Sequence, residues 1–197
     1  MKPVIVFATA NENKTAEVRE LLKDIYEVKS LIDIGCSEDI PETTNTLEGN
    51  AKQKADYVKE KYGYDCFADD TGLEVEALDG APGVFTARYG GHEKDAQQNM
   101  NYLMNELEKV GALDPSERGA RFRTAIHLII NGKEVGLEGI CKGHIAPLQS
   151  GTAGFGYDPV FIPKGEDRTF SEMSAEEKNS MSHRGSAIRS MLEYLGV

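Results

Sequence analysis

Tryptophan is absent from this 197-residue chain, and cysteine occurs only three times. Cys36, Cys66 and Cys141 are odd in number, far apart and form no CxxC pair. That pattern excludes a disulfide framework and offers no zinc-ligand spacing, so buried thiols in a reducing, cytoplasmic compartment are expected. No apolar run is long enough to cross a bilayer as a helix. The N-terminal apolar stretch Val4–Ala8 is too short for a signal peptide and leads directly into patterned sequence. Positive charge is also scarce, with 22 bases against 33 acids and a net charge of −11. Duplex nucleic acid and anionic membranes need a basic footprint, so both are excluded as partners. Small anionic ligands are not, because one pocket can differ in sign from the whole surface. A 40% hydrophobic, 28% charged chain of this length fits one globular domain spanning 1–197. It can bury about 70% of its unfolded surface without covalent staples.

What is present reads as α/β with a mixed sheet. Val4–Ala8 is a continuous apolar run, as in a strand covered on both faces. Val18, Leu21, Leu22 and Ile25 form a helical stripe, with Asn11 and Asn13 as candidate caps. A strand over 27–32 closes a strand–helix–strand unit. Leu47, Ala51, Ala55, Val58 and Tyr62 mark a second helix from Thr46 to Gly63. Cys66–Ala68 reads as a buried strand ending at Asp69-Asp70-Thr71-Gly72, and 73–77 as a separate half-exposed strand. Gly80–Gly91 reads as loop. Ala96, Met100, Leu103, Leu107 and Val110 define a third helix. Strands over 121–130 and 133–145 flank the hairpin signal Asn131-Gly132. A glycine-rich loop at 151–156 precedes a short strand near 159–162. Ser174-Ala175-Glu176-Glu177 has capping-box form, and a last helix follows.

Three segments hold polar residues that structure alone explains poorly. Thr9-Ala10-Asn11-Glu12-Asn13-Lys14 lies between strand and helix, where an α/β sheet binds ligands and helix N–H groups favour an anion. An ordinary helix cap with an exposed lysine explains it as well. Asp69-Asp70 offers hard oxygens suited to Mg²⁺, or a plain surface turn. Adjacent strand side chains face opposite ways, so one carboxylate rather than both is expected to serve a ligand. Glu42 is a candidate second carboxylate. The third segment joins Gly154-Phe155-Gly156-Tyr157-Asp158, Lys178 and His183-Arg184, combining an aromatic face for stacking with hydrogen-bond donors. Core packing and solvated charge are the alternatives. His127 reads as a satisfied strand histidine, and His92 and His144 have no partner at metal-ligand spacing. The stripe Glu74, Glu76 reads as solvated.

Taken in order, these segments resemble the inosine triphosphate pyrophosphatase family over nearly the whole chain. The resemblance rests on Thr9-Ala10-Asn11…Lys14, on Glu42 with Asn50-Ala51…Lys54-Ala55, and on Ala68-Asp69-Asp70-Thr71-Gly72-Leu73. It continues with Gly80-Ala81-Pro82-Gly83, Ala87-Arg88-Tyr89, Gly154-Phe155-Gly156-Tyr157-Asp158-Pro159, Glu177-Lys178 and Ser182-His183-Arg184-Gly185. Ala10 stands where glycine is frequent in the family. The loop Thr43-Thr44-Asn45-Thr46 lacks the glycine often found there, so the direction of Glu42 does not follow from the resemblance.

The resemblance implies an elongated mixed sheet with flanking helices, two lobes around a central cleft, and a homodimer. It implies hydrolysis of ITP, dITP and XTP to the monophosphate and pyrophosphate with Mg²⁺, cleansing the nucleotide pool. Thr9 to Lys14 and Lys54 would hold phosphates, and Glu42 and Asp70 the metal. Asp70 would also orient the attacking water, with Asp69 an alternate ligand. Thr71, Phe155, Gly156, Tyr157, Asp158, Lys178, His183 and Arg184 would contact substrate. Arg184 donates and cannot accept, so it would favour the C6 carbonyl of hypoxanthine or xanthine over the amino group of adenine. Competing readings are a Maf-like pyrophosphatase, a nucleotide sensor without turnover, and an interaction protein. The first lacks its Ser-Pro-Arg-rich opening here, and the others leave the carboxylates unexplained.

Overall fold

The computed structural model describes residues 2–91 and 94–197, and His92 lies outside them. The chain divides into two compact units. One comprises the residues up to Asp70 with 124–139 and 184–197, and the other 71–123 with 140–183. The sheet order is Glu27–Lys29, Val4–Phe7, Cys66–Val75, Gly119–Ile130, Lys133–Ile145 and Phe161–Pro163, with Pro82–Gly83 paired to Cys66–Val75.

In the first unit, β1 (Val4–Phe7) runs parallel to β2 (Glu27–Lys29) and to β3 (Cys66–Val75). Both faces of β1 are covered, as its continuous apolar run requires. Ile5 and Phe7 join Phe67, Ile126 and Leu128 under helices α1 (Glu12–Leu22) and α5 (His183–Leu195). Val6 and Ala8 join Cys66, Ala68 and Ile129 under α2 (Leu47–Tyr62). Phe7 and Phe67 stack with ring centroids 4.7 Å apart, and burying each ring is worth about 1.5–3 kcal/mol. Thr46 caps α2 through its hydroxyl, and Gly63 ends it at φ 76°, a conformation glycine adopts without a Cβ penalty. β5 (Gly119–Ile130) and β6 (Lys133–Ile145) meet at Asn131-Gly132, both at positive φ as a primed two-residue turn demands.

In the second unit, Leu73, Val75, Phe122, Ile145 and Phe161 pack with α3 (Ala96–Lys109) through Met100, Leu103 and Leu107. β4 (Pro82–Gly83) pairs antiparallel with β3, and β7 (Phe161–Pro163) with β6. α4 (Ala175–Met181) begins at the expected capping box.

The structure differs from expectation at three places. Asp69-Asp70-Thr71-Gly72 is no turn, because β3 runs unbroken from Cys66 to Val75, and a 3₁₀ turn follows at Glu76–Leu78. The two readings of 66–68 and 73–77 were halves of one strand, since buried Leu73 and Val75 continue its pattern. Glu74 is not a solvated acid either, for Arg121 and Arg123 donate to its two oxygens at 2.6 and 3.2 Å. Val110, at 55% exposure, lies past the end of α3 rather than on its apolar stripe.

Candidate active site

Strand alternation decides how the first unit arranges its charges. Asp69 shares a face of β3 with Phe67 and so meets α1 and α5, whereas Asp70 shares the opposite face with Ala68 and meets α2. On the first face, the Lys14 ammonium donates to Asp69 Oδ1 at 2.8 Å and Arg184 Nε to Oδ2 at 3.2 Å. Arg184 Nη1 also donates to Glu17, one helical turn after Lys14. Arg184 and Asp69 are only 2% and 1% exposed. Burial opposes the Asp69 charge, but Lys14 and Arg184 outweigh it and hold the carboxyl well below its usual range. Burial lowers Lys14 in turn, and Arg184 and Lys54 reinforce that against Asp69.

On the second face, the Lys54 ammonium donates to Glu42 and lies 4.0 Å from Asp70 Oδ1. Asn50 Nδ2 donates to Asp70 Oδ2 at 3.0 Å. Burial raises the Asp70 carboxyl, opposed by Lys54, Lys14 and Asn50 and helped by Glu42. Burial lowers Lys54, but Asp70, Glu42 and Asp69 together raise it above its ordinary value. One ammonium therefore brings Glu42 and Asp70 to a common cation.

At the start of α1 the cap is definite. Asn11 Oδ1 accepts from the N–H groups of Asn13 and Lys14 at 3.0 and 3.2 Å, and Asn11 N–H donates to Thr9 Oγ1 at 3.1 Å. Asn11 is the cap that was expected, and it already satisfies two of the helix-start amides. Ala10, Glu12 and Asn13 are exposed.

In the second unit, Lys178 donates to Asp158 Oδ2 at 2.6 Å, and both side chains are buried. The Phe155 N–H donates to the same oxygen at 2.8 Å. The Lys178 ammonium lies 4.7 Å from the centroid of the Phe155 ring. His183 stacks on Phe122 at 4.5 Å, and Tyr157 OH donates to the Thr86 carbonyl at 2.9 Å. Gly154 has φ +78°, and a Cβ there would lie 2.1 Å from Asp158 Oδ2. Gly156 also has positive φ, Thr71 is half-buried on β3, and Arg88 is exposed on a 3₁₀ turn. A cavity of about 710 Å³ in this unit, lined by Glu74, Glu76, Arg121, Lys142 and Lys164 among others, touches none of the predicted site residues.

Asn50 and Glu17 had no role assigned from sequence. Asn50 carried a signal, being a polar residue among the buried positions Leu47, Ala51 and Ala55 of α2. Glu17 carried none until its partner Arg184, 167 residues away, was placed. His127 is satisfied as expected, its Nε2 lying 2.9 Å from Glu134. With Asp56, these two form a group of three metal-capable side chains among the described residues. Lys52 already occupies it with one positive charge, at 2.6 Å from Glu134 and 3.1 Å from Asp56.

The fold and these charge clusters define an α/β protein with paired acids and lysines along the middle of a long strand, suited to anionic, metal-bound ligands. Its sequence matches the Ham1 family over residues 5–194, and the chain belongs to that family. It is 51% identical to a dITP/XTP pyrophosphatase of Flavobacterium johnsoniae, over 97% of both chains. It is 52% identical to the corresponding Flavobacterium psychrophilum protein, over 96% of this chain and 97% of that one. A HAM1 protein structure from Coxiella burnetii superposes with a TM-score of 0.87 at 35% identity, over 98% of each chain. No helix among the described residues is long and apolar enough to cross a membrane.

Proposed function

We propose that the protein hydrolyses dITP, XTP and ITP to the nucleoside monophosphate and pyrophosphate, clearing deaminated purines from the nucleotide pool. The observation that carries this reading is the Lys54 ammonium held against Glu42 and near Asp70, with half-buried Lys14 paired to buried Asp69 on the next residue of the strand. Family membership and the relatives' names support it. One family match running from residue 5 to 194 supports treating the chain as a single functional domain.

Glu42 and Asp70 fit a small hard cation, because Mg²⁺ takes one or two carboxylates and completes its shell with water and substrate phosphates. Bound there, Mg²⁺ would supply charge neutralisation at phosphate oxygens. The chain's own residues do the rest. Lys54 and Lys14 neutralise phosphate charge, and Thr9 to Asn13 shape the backbone around it. Asp70 orients a water towards the α-phosphorus and accepts its proton, a role that its raised carboxyl range suits. The α–β bridging bond breaks as the new P–O bond forms, and pyrophosphate leaves. Catalysis is then mostly positioning and electrostatics.

For the base, Phe155 offers a stacking face, with Gly156, Tyr157 and Asp158 in the same loop, and Thr71 is a further substrate contact. Lys178, His183 and Arg184 supply donors to the purine carbonyls. A donor facing the adenine amino group would stay unpaired, at a cost of about 1–3 kcal/mol. We further propose a homodimer in a reducing, cytoplasmic compartment, which the free buried thiols favour.

Purified protein with Mg²⁺ and a panel of dITP, XTP, ITP, GTP and ATP tests the reading. Pyrophosphate released from dITP, XTP and ITP but little from ATP is the expected result. Orthophosphate alone would place attack at another phosphorus, and no turnover would leave a binding protein.

A further inference from the structure

The loop carrying Glu42 is fastened to Asp70 through one buried amide. Asn50, 3% exposed, lies on the first turn of α2. Its Oδ1 accepts from the Thr44 N–H at 3.0 Å and lies 2.8 Å from the Thr44 hydroxyl. Its Nδ2 donates to Asp70 Oδ2 at 3.0 Å. A backbone N–H can only donate, so the amide cannot flip: oxygen faces the loop and NH₂ faces the carboxylate. With Oδ2 held by Asn50, Oδ1 is the Asp70 oxygen turned to Lys54, at 4.0 Å.

The loop end is fixed by fit. A Cβ at Gly49 would lie 2.4 Å from Thr44 Oγ1. Gly49 leaves the room that the Thr44 side chain fills, in the stretch where this chain lacks the family's frequent glycine. Thr44 is then two residues from Glu42, and Thr43 N–H is held in turn by Gln53 Oε1 at 3.0 Å.

We propose that Asn50, held by Thr44, is a positioning residue that fixes which oxygen of Asp70 faces Lys54 and links that choice to the placement of the Glu42 loop. It acts through Asp70 and touches neither substrate nor metal. The inference rests on Glu42 and Asp70 being the working carboxylates of the proposed hydrolysis.

Two variants test it, Asn50→Ser and Thr44→Val, the second keeping its backbone N–H and its shape. Two readouts are used: steady-state pyrophosphate release from dITP at saturating Mg²⁺, and nucleotide-free crystal structures. Turnover by the unaltered protein tests the hydrolase reading separately, and the crystal readout needs no turnover. Asn50→Ser is expected to lower kcat about 10–100-fold with KM within about twofold, because orientation is lost mainly in the transition state. Thr44→Val is expected to lower kcat about 2–10-fold, and the double variant to fall no further than Asn50→Ser, because both act in one chain of contacts. The Asp70 carboxylate is expected to rotate in both structures. An unmoved carboxylate overturns the proposal whatever the turnover. So does a folded Asn50→Ser protein with kcat within about twofold of the original, or single effects that multiply in the double variant. If Asn50→Ser does not fold, the Thr44→Val structure and kcat decide alone.

Discussion

Half-buried Lys14 meets buried Asp69 at 2.8 Å, and Asp69 also has a second, buried cation, Arg184, at 3.2 Å. Removing that carboxylate takes away the 2.8 Å partner of Lys14 and one of the two carboxylates that Arg184 meets. Breaking a buried pair costs about 3–5 kcal/mol. Asp69→Ala is therefore expected to lower the denaturation midpoint steeply, checked by urea unfolding of the variant beside the original. A change under about 1 kcal/mol would mean that water reaches the cluster. The pH sign follows from the lowered Asp69 carboxyl. Its stabilisation is fully present above the unfolded value near 3.8 and is lost as pH falls towards the folded one.

Asp70 is the opposite case, a carboxylate whose charge burial disfavours. Asp70→Asn keeps the shape and removes an ill-favoured charge. Thermal stability is expected to hold or rise slightly, while pyrophosphate release falls by about 10²–10⁴-fold, the range for losing a general base. Near-normal turnover in the folded variant would remove Asp70 from the mechanism.

Arg184→Ala separates two roles. Loss of the partner for Asp69 and Glu17 is expected to destabilise the protein. Loss of a base-directed donor is expected, in addition, to reduce the ITP-over-ATP preference in kcat/KM by about 5–150-fold, the equivalent of about 1–3 kcal/mol. An unchanged ratio with lowered stability would leave Arg184 as a purely internal ion.

How far sequence reached is clearest along β3. The apolar run at 66–68 and the alternation at 73–77 were both legible, and the rule that neighbours on a strand face opposite ways correctly separates Asp69 from Asp70. The join between the two halves was hidden, because Asp, Thr and Gly carry turn propensity that buried pairing with lysine and arginine overrode. The hairpin at Asn131-Gly132 and the caps at Asn11 and Ser174 were legible because each is a local device. Contacts such as Arg184 with Glu17 were not, since their cause is tertiary and leaves no trace in spacing.

The thiols give a test independent of catalysis. Burial pushes Cys66 up to about 12 and Cys141 up to about 11. Both should therefore be protonated and inaccessible at neutral pH. Iodoacetamide at pH 8 is expected to leave both unmodified in native protein and to alkylate both in denaturant, read by peptide mass spectrometry. Rapid native labelling of Cys66 would mean that the packing between β3 and α2 opens readily.

The glycine-rich loop offers the sharpest single-atom prediction. Gly154 adopts φ +78°, and a Cβ there would lie 2.1 Å from the Asp158 oxygen that receives Lys178 and the Phe155 N–H. Left-handed backbone alone costs a non-glycine residue about 1–2 kcal/mol. Here the methyl would also displace Asp158 from both of its donors. Gly154→Ala is thus expected to exceed that figure in urea unfolding and to raise KM for dITP, because Phe155 and Lys178 lose the anchor that sets them. Gly156→Ala is the control. It shares the positive φ, 63°, but nothing lies within 4 Å of its Cβ position, so it should cost only the backbone share. Equal costs at the two positions would show that the loop yields and that Asp158 does not depend on Gly154.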